Sequence, residues 1–128
     1  MSEPRWLSGE LVRTILAQSL ARFGGEAGLR SEEALDAALA KPRQVHAYGT
    51  PDLFRIAAAY ASGLVRQHPF FDGNKRVGFL AAYVFLGLNG HRLIAPEEEA
   101  VLQILSLARA EGSDEELAAW LEPYSVAG

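Results

Sequence analysis

The feature that most constrains this chain is the stretch His68-Pro69-Phe70-Phe71-Asp72-Gly73-Asn74-Lys75-Arg76. Pro69 disfavours helical backbone at the residue before it, so a helix arriving from the N-terminal side should end at His68. Gly73 allows the backbone to turn sharply. Residues 77–88, which follow, are uncharged and carry apolar or small side chains on every helical face apart from one tyrosine hydroxyl. The pattern predicts a helix-loop-helix corner whose second helix is buried.

The side chains of this corner suit phosphate chemistry. The stretch contains a base (His68), a carboxylate (Asp72), an amide (Asn74) and two cations (Lys75 and Arg76). If a helix begins near the glycine, its free backbone N–H groups and the positive end of its dipole form an anion site. Two cations in the first turn of a helix are repelled by the positive end of that dipole, so this arrangement is favourable only if an anion lies nearby. The stretch therefore predicts a phosphate site with a base beside it.

Helix signals recur along the rest of the chain. N-terminal caps are predicted at Ser8, Ser31 and Ser113, the last of them in a capping box with Glu116. Apolar residues follow each cap at helical spacing. Pro42 is expected to end the second helix and to leave residues 43–52 as an exposed loop or short extended flap.

These signals predict about six helices and no convincing strand. The expected fold class is all-α, a compact bundle of about six helices around a buried central helix formed by residues 77–88. A chain of 128 residues suits a single domain, here residues 1–128.

Composition argues against several classes of function. The chain has no cysteine, so it can form neither a disulfide nor a thiolate metal site. Its formal net charge of −4 argues against duplex nucleic acid as a partner, because such binding normally needs a basic surface. The first residues include an acid and a proline where an export signal needs a basic and then an apolar run. No apolar stretch reaches the roughly 20 residues of a membrane span. We therefore expect a cytoplasmic protein with no membrane partner and no direct nucleic-acid partner.

The opening stretch resembles the signature of the Fic/Doc family, H-P-F-x-[DE]-G-N-[GK]-R, without a gap. With lysine at the variable position, it is closest to the Doc, or death-on-curing, branch of that family. The resemblance implies a compact helical Fido-type fold and transfer of a nucleotide phosphate group to a protein hydroxyl. Pro69 and Phe70 would be structural positions of the motif. Residues 43–52 would occupy the place of the flap that aligns the target peptide.

The resemblance also implies a role for each polar residue. His68 would take the proton from a target hydroxyl, and Asp72 would hold Mg²⁺ on the phosphates of ATP. Asn74 and Arg76 would orient and neutralise those phosphates, while the Gly73 turn would present backbone N–H groups to them. The role of His68 agrees with elementary chemistry, because imidazole is a competent base near neutral pH.

Two positions depart from the pattern of family members that transfer AMP. Lys75 replaces a second glycine, and its side chain would crowd the site of the α-phosphate and add a positive charge to it. In the Doc branch this lysine accompanies transfer of the γ-phosphate, which implies phosphorylation of a serine or threonine. Phe79 stands where the family has a second arginine. One phosphate ligand, which is also the usual partner of an inhibitory glutamate, is therefore missing.

By the same resemblance, the chain would be the toxin of a bacterial toxin-antitoxin pair, with elongation factor Tu as the natural target. An inhibitory-helix motif, [ST]-x-x-x-E-[GN], is missed by one residue at residues 106–112. This favours control by a separate, Phd-like antitoxin. Three alternatives stay open: AMP transfer at the same site, a non-catalytic module whose groove holds a partner helix and, more remotely, nucleic-acid binding.

Overall fold

Six α-helices and one small sheet make up the described part of the chain. The computed structural model describes residues 3–49 and 52–128. The elements are, in order, α1 (Gly9–Phe23), α2 (Glu32–Ala47), α3 (Leu53–Gln67), α4 (Asn74–Leu88), β1 (His91–Leu93), α5 (Glu97–Ala108), α6 (Asp114–Leu121), one turn of 3₁₀ helix (Glu122–Tyr124) and β2 (Ser125–Ala127). The predicted all-α class and the predicted number of helices are confirmed. None of the helices in these ranges is long and apolar enough to cross a bilayer.

The predicted N-caps are also confirmed. The hydroxyls of Ser8, Ser31 and Ser113 each accept a hydrogen bond from the backbone N–H three residues further on, at 3.0, 3.1 and 3.1 Å. Each bond satisfies one of the donors that the first turn of a helix leaves free. The starts of α1, α2 and α6 are therefore set by short-range chemistry that the sequence reveals.

α3 is the buried centre of the bundle. Residues 56–65 are all buried, and α2, α4, α5 and α6 pack around them. The prediction that residues 77–88 form the central helix is wrong, because Tyr83 and Leu88 of α4 are 41% and 39% exposed. A helix that is apolar all round has the same sequence pattern whether its outer face meets another helix or an open groove. In α4 the outer face lines a groove.

α2 continues through Pro42 to Ala47, so the prediction of a loop beginning at residue 43 is wrong. A proline inside a helix removes one hydrogen bond and typically costs about 3 kcal/mol. Here the side chain of Pro42 is fully buried, and the burial of its apolar surface offsets part of that cost. Of the predicted loop, Tyr48, Gly49 and Asp52 lie between α2 and α3. Residues 50 and 51 are outside the described part of the chain.

The small sheet differs from the expectation of no strand. β1 pairs with β2 in an antiparallel register that places Arg92 opposite Val126. Strands of three residues are at the lower limit of strand length, and they are too short for an alternating pattern to reveal them. The pairing holds the end of the chain against the turn after α4, where the N–H of Gly128 donates to the Gly90 carbonyl oxygen at 3.1 Å.

The close packing of α2 on α3 predicts the effect of adding one methyl group. A Cβ at Gly63 would lie 2.9 Å from the carbonyl oxygen of Ala38 and 3.2 Å from its Cα. Gly63→Ala should push the two backbones apart and lower the free energy of unfolding by about 1–3 kcal/mol, as measured by urea denaturation.

Gly87→Ala in α4 is the matched control, because a Cβ at that position meets nothing within 4 Å. It should raise the free energy of unfolding by about 0.5–1 kcal/mol, since alanine loses less backbone entropy than glycine in a helix. A Gly63→Ala protein as stable as the wild type would contradict the packing described.

Candidate functional site

The predicted site residues lie at one corner, where α3 ends and α4 begins. His68 is the C-cap of α3, and its backbone is left-handed, with φ 54° and ψ 54°. This conformation is uncommon for a residue other than glycine and costs of order 1–3 kcal/mol. Pro69 and Phe70 follow with buried side chains. Gly73, with φ 85°, is the N-cap of α4. The connecting loop is therefore short, and a left-handed residue stands at each end of it.

Asn74, the first residue of α4, closes this loop from the inside. It is 3% exposed. Its Oδ1 accepts from the N–H of Phe70 at 3.0 Å, and its Nδ2 donates to the Phe70 carbonyl oxygen at 2.9 Å. Nδ2 also lies 3.1 Å from Nδ1 of His68. Because the amide is occupied within the protein, the predicted contact between Asn74 and phosphate is left to the backbone N–H.

The Asn74 amide also selects the tautomer of His68. Phe70 presents both a donor and an acceptor to the amide, and this assigns which amide atom is nitrogen. Since an amide nitrogen only donates, Nδ1 of His68 is the acceptor in the 3.1 Å contact. The neutral ring therefore carries its proton on Nε2. In this tautomer Nδ1 is the basic nitrogen, so the imidazole must first leave Asn74, for example by turning about its Cβ–Cγ bond, before it can accept a proton.

The first turn of α4 offers an anion site. No side chain in the described residues caps this helix, so the backbone N–H groups of residues 74–76 are available to a ligand. Lys75 and Arg76 extend from the same turn and are exposed. Cζ of Arg76 lies 4.2 Å from the centre of the Phe23 ring, and Cζ of Arg22 lies 5.2 Å from it. The aromatic ring thus holds positive charge beside the turn.

Asp72 faces the turn that follows α1. Its Oδ2 accepts from the backbone N–H of Glu26 at 2.6 Å, and Oδ1 has no protein donor among the described residues. Mg²⁺ is commonly bound through one or two carboxylates together with phosphate oxygens and water. One free carboxylate oxygen beside a phosphate site fits that set of ligands. Within residues 3–49 and 52–128, no cluster of three or more His, Cys, Asp or Glu side chains is suited to a metal.

Sequence reasoning gave no role to Arg30, which contacts the same corner. Its Nε donates to the carbonyl oxygen of His68 at 2.6 Å, and a terminal nitrogen donates to that of Gln67 at 2.9 Å. Its backbone N–H donates to the carbonyl oxygen of Pro69 at 2.7 Å. The residue is exposed and lies 38 positions before His68. The one local signal was its place directly before the Ser31 cap, which fixes it at the start of α2.

Lys75 and Phe79 lie one turn apart on α4 and line the same groove. This groove, between α1, α4 and α5, has a volume of about 740 Å³ and largely apolar walls. Val101 of α5 is part of its wall and is 52% exposed. The cations Arg22, Lys75 and Arg76 also line it. The groove therefore joins an apolar channel to the positive start of α4.

Neither Arg66, which is close to His68 in sequence, nor the predicted flap belongs to the site. Arg66 points away from it, because its guanidinium donates to the carbonyl oxygens of Leu107 and Gly112 at 3.2 and 2.8 Å. The described part of the predicted flap lies at the opposite end of α3 from His68. That helix has 15 residues, or about 22 Å of length. For residues 43–49 and 52, the expectation that this segment takes the place of the flap that aligns the target peptide is therefore wrong.

Comparisons with known proteins agree with the resemblance of the motif. The model of the Fic/DOC family matches residues 6–86, which run from before α1 into α4 and include the whole corner. A curated relative, Toxin Doc of Mycolicibacterium smegmatis (strain ATCC 700084 / mc(2)155), is 43% identical over a stretch that covers 63% of this chain and 64% of that protein. The match thus spans less than two thirds of the relative's length.

The Asn74 contact predicts which nitrogen of His68 is protonated. Nitrogen-15 NMR of the neutral imidazole should show the proton on Nε2. In Asn74→Asp the proton should move to Nδ1, because a carboxylate accepts a hydrogen bond and does not donate one.

His91 serves as an internal control for this measurement. Its ring packs against Phe54, with the ring centres 5.1 Å apart, and its spectrum should be the same in both proteins. A wild-type His68 protonated at Nδ1 would show that the assigned tautomer is wrong.

Proposed function

Because the chain belongs to the Fic/DOC family, we propose that it transfers the γ-phosphate of ATP, with Mg²⁺, to a serine or threonine hydroxyl of a target protein. The observation that carries this proposal is the corner between α3 and α4. The imidazole of His68 lies 3.1 Å from the side chain of Asn74, and the backbone N–H of Asn74 is the first of the uncapped donors of α4. A base and an anion site therefore share one rigid frame.

Each group in the corner has a task in this reaction. Once released from Asn74, His68 would accept the proton of the attacking hydroxyl at Nδ1, which contributes about 10²–10⁴ in rate in comparable cases. The hydroxyl oxygen would bond to the γ-phosphorus as the bond to the bridging oxygen breaks and ADP leaves. The N–H groups of residues 74–76 and the Arg76 guanidinium would stabilise the charge on the transferred group. Asp72 would hold Mg²⁺, which neutralises phosphate charge when bound.

Lys75 supports transfer of the γ-phosphate rather than of AMP. Its side chain is exposed in the first turn of α4 and lines the groove next to Arg76. A second cation there adds to the positive potential of the helix end, where the charge of a transferred phosphoryl group would develop. Family members that transfer AMP have glycine at this position and an arginine where this chain has Phe79.

The biological setting that we propose is a bacterial toxin-antitoxin pair. It is supported by the name of the curated relative, Toxin Doc. The phosphorylated protein would belong to the translation machinery, with elongation factor Tu as the first candidate by resemblance, and its modification would block translation. A Phd-like antitoxin would be the partner. An amphipathic antitoxin tail with acidic residues suits the groove, because apolar walls meet three cations and one carboxylate, that of Glu97, there.

Two other functions fit parts of this structure. AMP transfer would use the same base, carboxylate and arginine. The corner alone therefore supports AMP transfer almost as well as transfer of the γ-phosphate. A non-catalytic module that binds a partner helix is favoured by the groove between α1, α4 and α5. The position of the label that reaches an acceptor protein separates these functions from phosphorylation.

The proposed reaction predicts that only the γ-phosphate of ATP reaches protein. The chain is incubated with Mg²⁺ and a bacterial extract that contains elongation factor Tu, the candidate acceptor, and with ATP labelled at the α- or the γ-phosphate, and extract without the chain gives the background. Label from the γ-phosphate alone should appear on protein. Label from the α-phosphate would establish AMP transfer, and the absence of both labels together with tight antitoxin binding would favour the binding module.

His68→Asn tests the base within the same assay. Asparagine tolerates the left-handed backbone but has no imidazole, so the transfer rate should fall by about 10²–10⁴. His91→Asn is the matched control and should keep the wild-type rate, because His91 lies on β1. Transfer that is unchanged in His68→Asn would contradict the mechanism.

Another prediction concerns Lys75. Lys75→Met removes the charge but keeps most of the side-chain length, and it should lower γ-phosphate transfer by about 10²-fold, as loss of one charge-stabilising group typically does. Lys75→Arg keeps the charge and should retain most of the rate. If Lys75→Met transfers the γ-phosphate as fast as the wild type, the lysine does not determine the reaction.

A further inference from the structure

One exposed arginine outside the motif binds three consecutive carbonyl groups at the end of α3. The Arg30 side chain donates to the carbonyl oxygens of Gln67 and His68 at 2.9 and 2.6 Å. Its backbone N–H donates to the carbonyl oxygen of Pro69 at 2.7 Å. These carbonyls flank His68 on both sides. A single residue therefore sets the direction of three successive peptide groups around the base.

The end of a helix is where such contacts matter most. The last carbonyl groups of α3 have no partner within the helix, and they carry the negative end of its dipole, so a guanidinium is favourable there. The left-handed backbone of His68 is a second reason why this helix end requires contacts that hold it. A strained conformation of a residue other than glycine persists only where its surroundings hold it. The carbonyl of His68 is itself the acceptor of the shortest Arg30 contact.

The backbone around Arg30 forms a strip beside the loop. Leu29 forms an isolated antiparallel bridge with Phe70, and the carbonyl oxygen of Gly28 accepts from the N–H of Phe71 at 3.3 Å. This strip fixes the backbone of Arg30 relative to the loop. The guanidinium is thus presented to the end of α3 from a fixed point, which makes its side-chain contacts specific to residues 67 and 68.

We propose that Arg30 is a positioning residue for His68. Arg30 holds the backbone on which the imidazole pivots, while Asn74 holds the ring at rest, so the ring can turn without losing its place beside the start of α4. This inference rests on the proposed function, in which His68 is the base. In this role Arg30 acts through the backbone carbonyls that it binds and not through contact with the nucleotide or the acceptor hydroxyl.

The test compares Arg30→Ala with wild type in the γ-phosphate transfer assay. Arg30→Ala loses both side-chain contacts but keeps the backbone bond to Pro69. Its kcat should fall by about 10²-fold, which is typical of a misplaced catalytic group, while KM for ATP should change by less than about threefold. Arg30→Lys should be intermediate, and added guanidinium ion should restore part of the kcat of Arg30→Ala but none of that of His68→Asn.

Arg66→Ala is the matched control. Arg66 lies at the same end of α3 and also donates to two backbone carbonyls, but these belong to Leu107 and Gly112. Its loss should lower the melting temperature to a similar extent and change kcat by less than about threefold. If Arg66→Ala lowers kcat as much as Arg30→Ala does, the effect is a general loss of stability and the proposal fails.

Nitrogen-15 NMR of His68 gives a readout that needs no activity. In Arg30→Ala the neutral imidazole should lose its preference for the Nε2 proton, because the ring is no longer held against Asn74, whereas Arg66→Ala should keep that preference. An Arg30→Ala protein with wild-type kcat and a wild-type His68 spectrum would overturn the proposal. If even the wild type transfers no phosphate, the proposed function fails, and the spectra still decide whether Arg30 positions His68.

Discussion

The buried amide of Asn74 is the interaction on which the rest of the site depends. It satisfies both backbone polar groups of Phe70 and reaches the ring of His68. In this way it joins the end of α3, the loop and the start of α4. Leaving a buried polar group without its partner costs about 1–3 kcal/mol, so an open form of this loop is strongly disfavoured. The backbone that carries the base consequently keeps a fixed position relative to the anion site before any ligand binds.

The corner in turn depends on α3. Because residues 56–65 are buried on all sides, the end of this helix cannot move independently of the core. The strain at His68 is stored at the point where α3 leaves the core, and Arg30 and Asn74 hold it from two directions. Their roles differ: one fixes the backbone and the other holds the ring. A fixed backbone with a ring that can turn explains how Nδ1, which Asn74 occupies at rest, becomes free to accept a proton.

The sequence was informative wherever the deciding contacts are short-range. The residues of the motif are consecutive, so their meeting at one helix start follows from the Pro69 and Gly73 signals, and hydroxyl caps such as Ser31 act over three residues. The sequence was misleading where burial in the tertiary structure decides the conformation. Pro42 stays inside α2 because the core surrounds it, and the outer face of α4 lines a groove although its sequence suggests a buried helix. The role of Arg30 could not be predicted, since its partners lie about 38 residues away.

The central claim is that the start of α4 beside His68 binds the phosphates of ATP. Titration of nitrogen-15-labelled protein with Mg²⁺ and ATP, followed by amide NMR, tests it most directly. The account predicts that the largest shifts occur at the backbone N–H groups of residues 74–76, accompanied by a change at the imidazole of His68. Saturable shifts confined to other parts of the molecule, or no shifts at millimolar nucleotide, would contradict it.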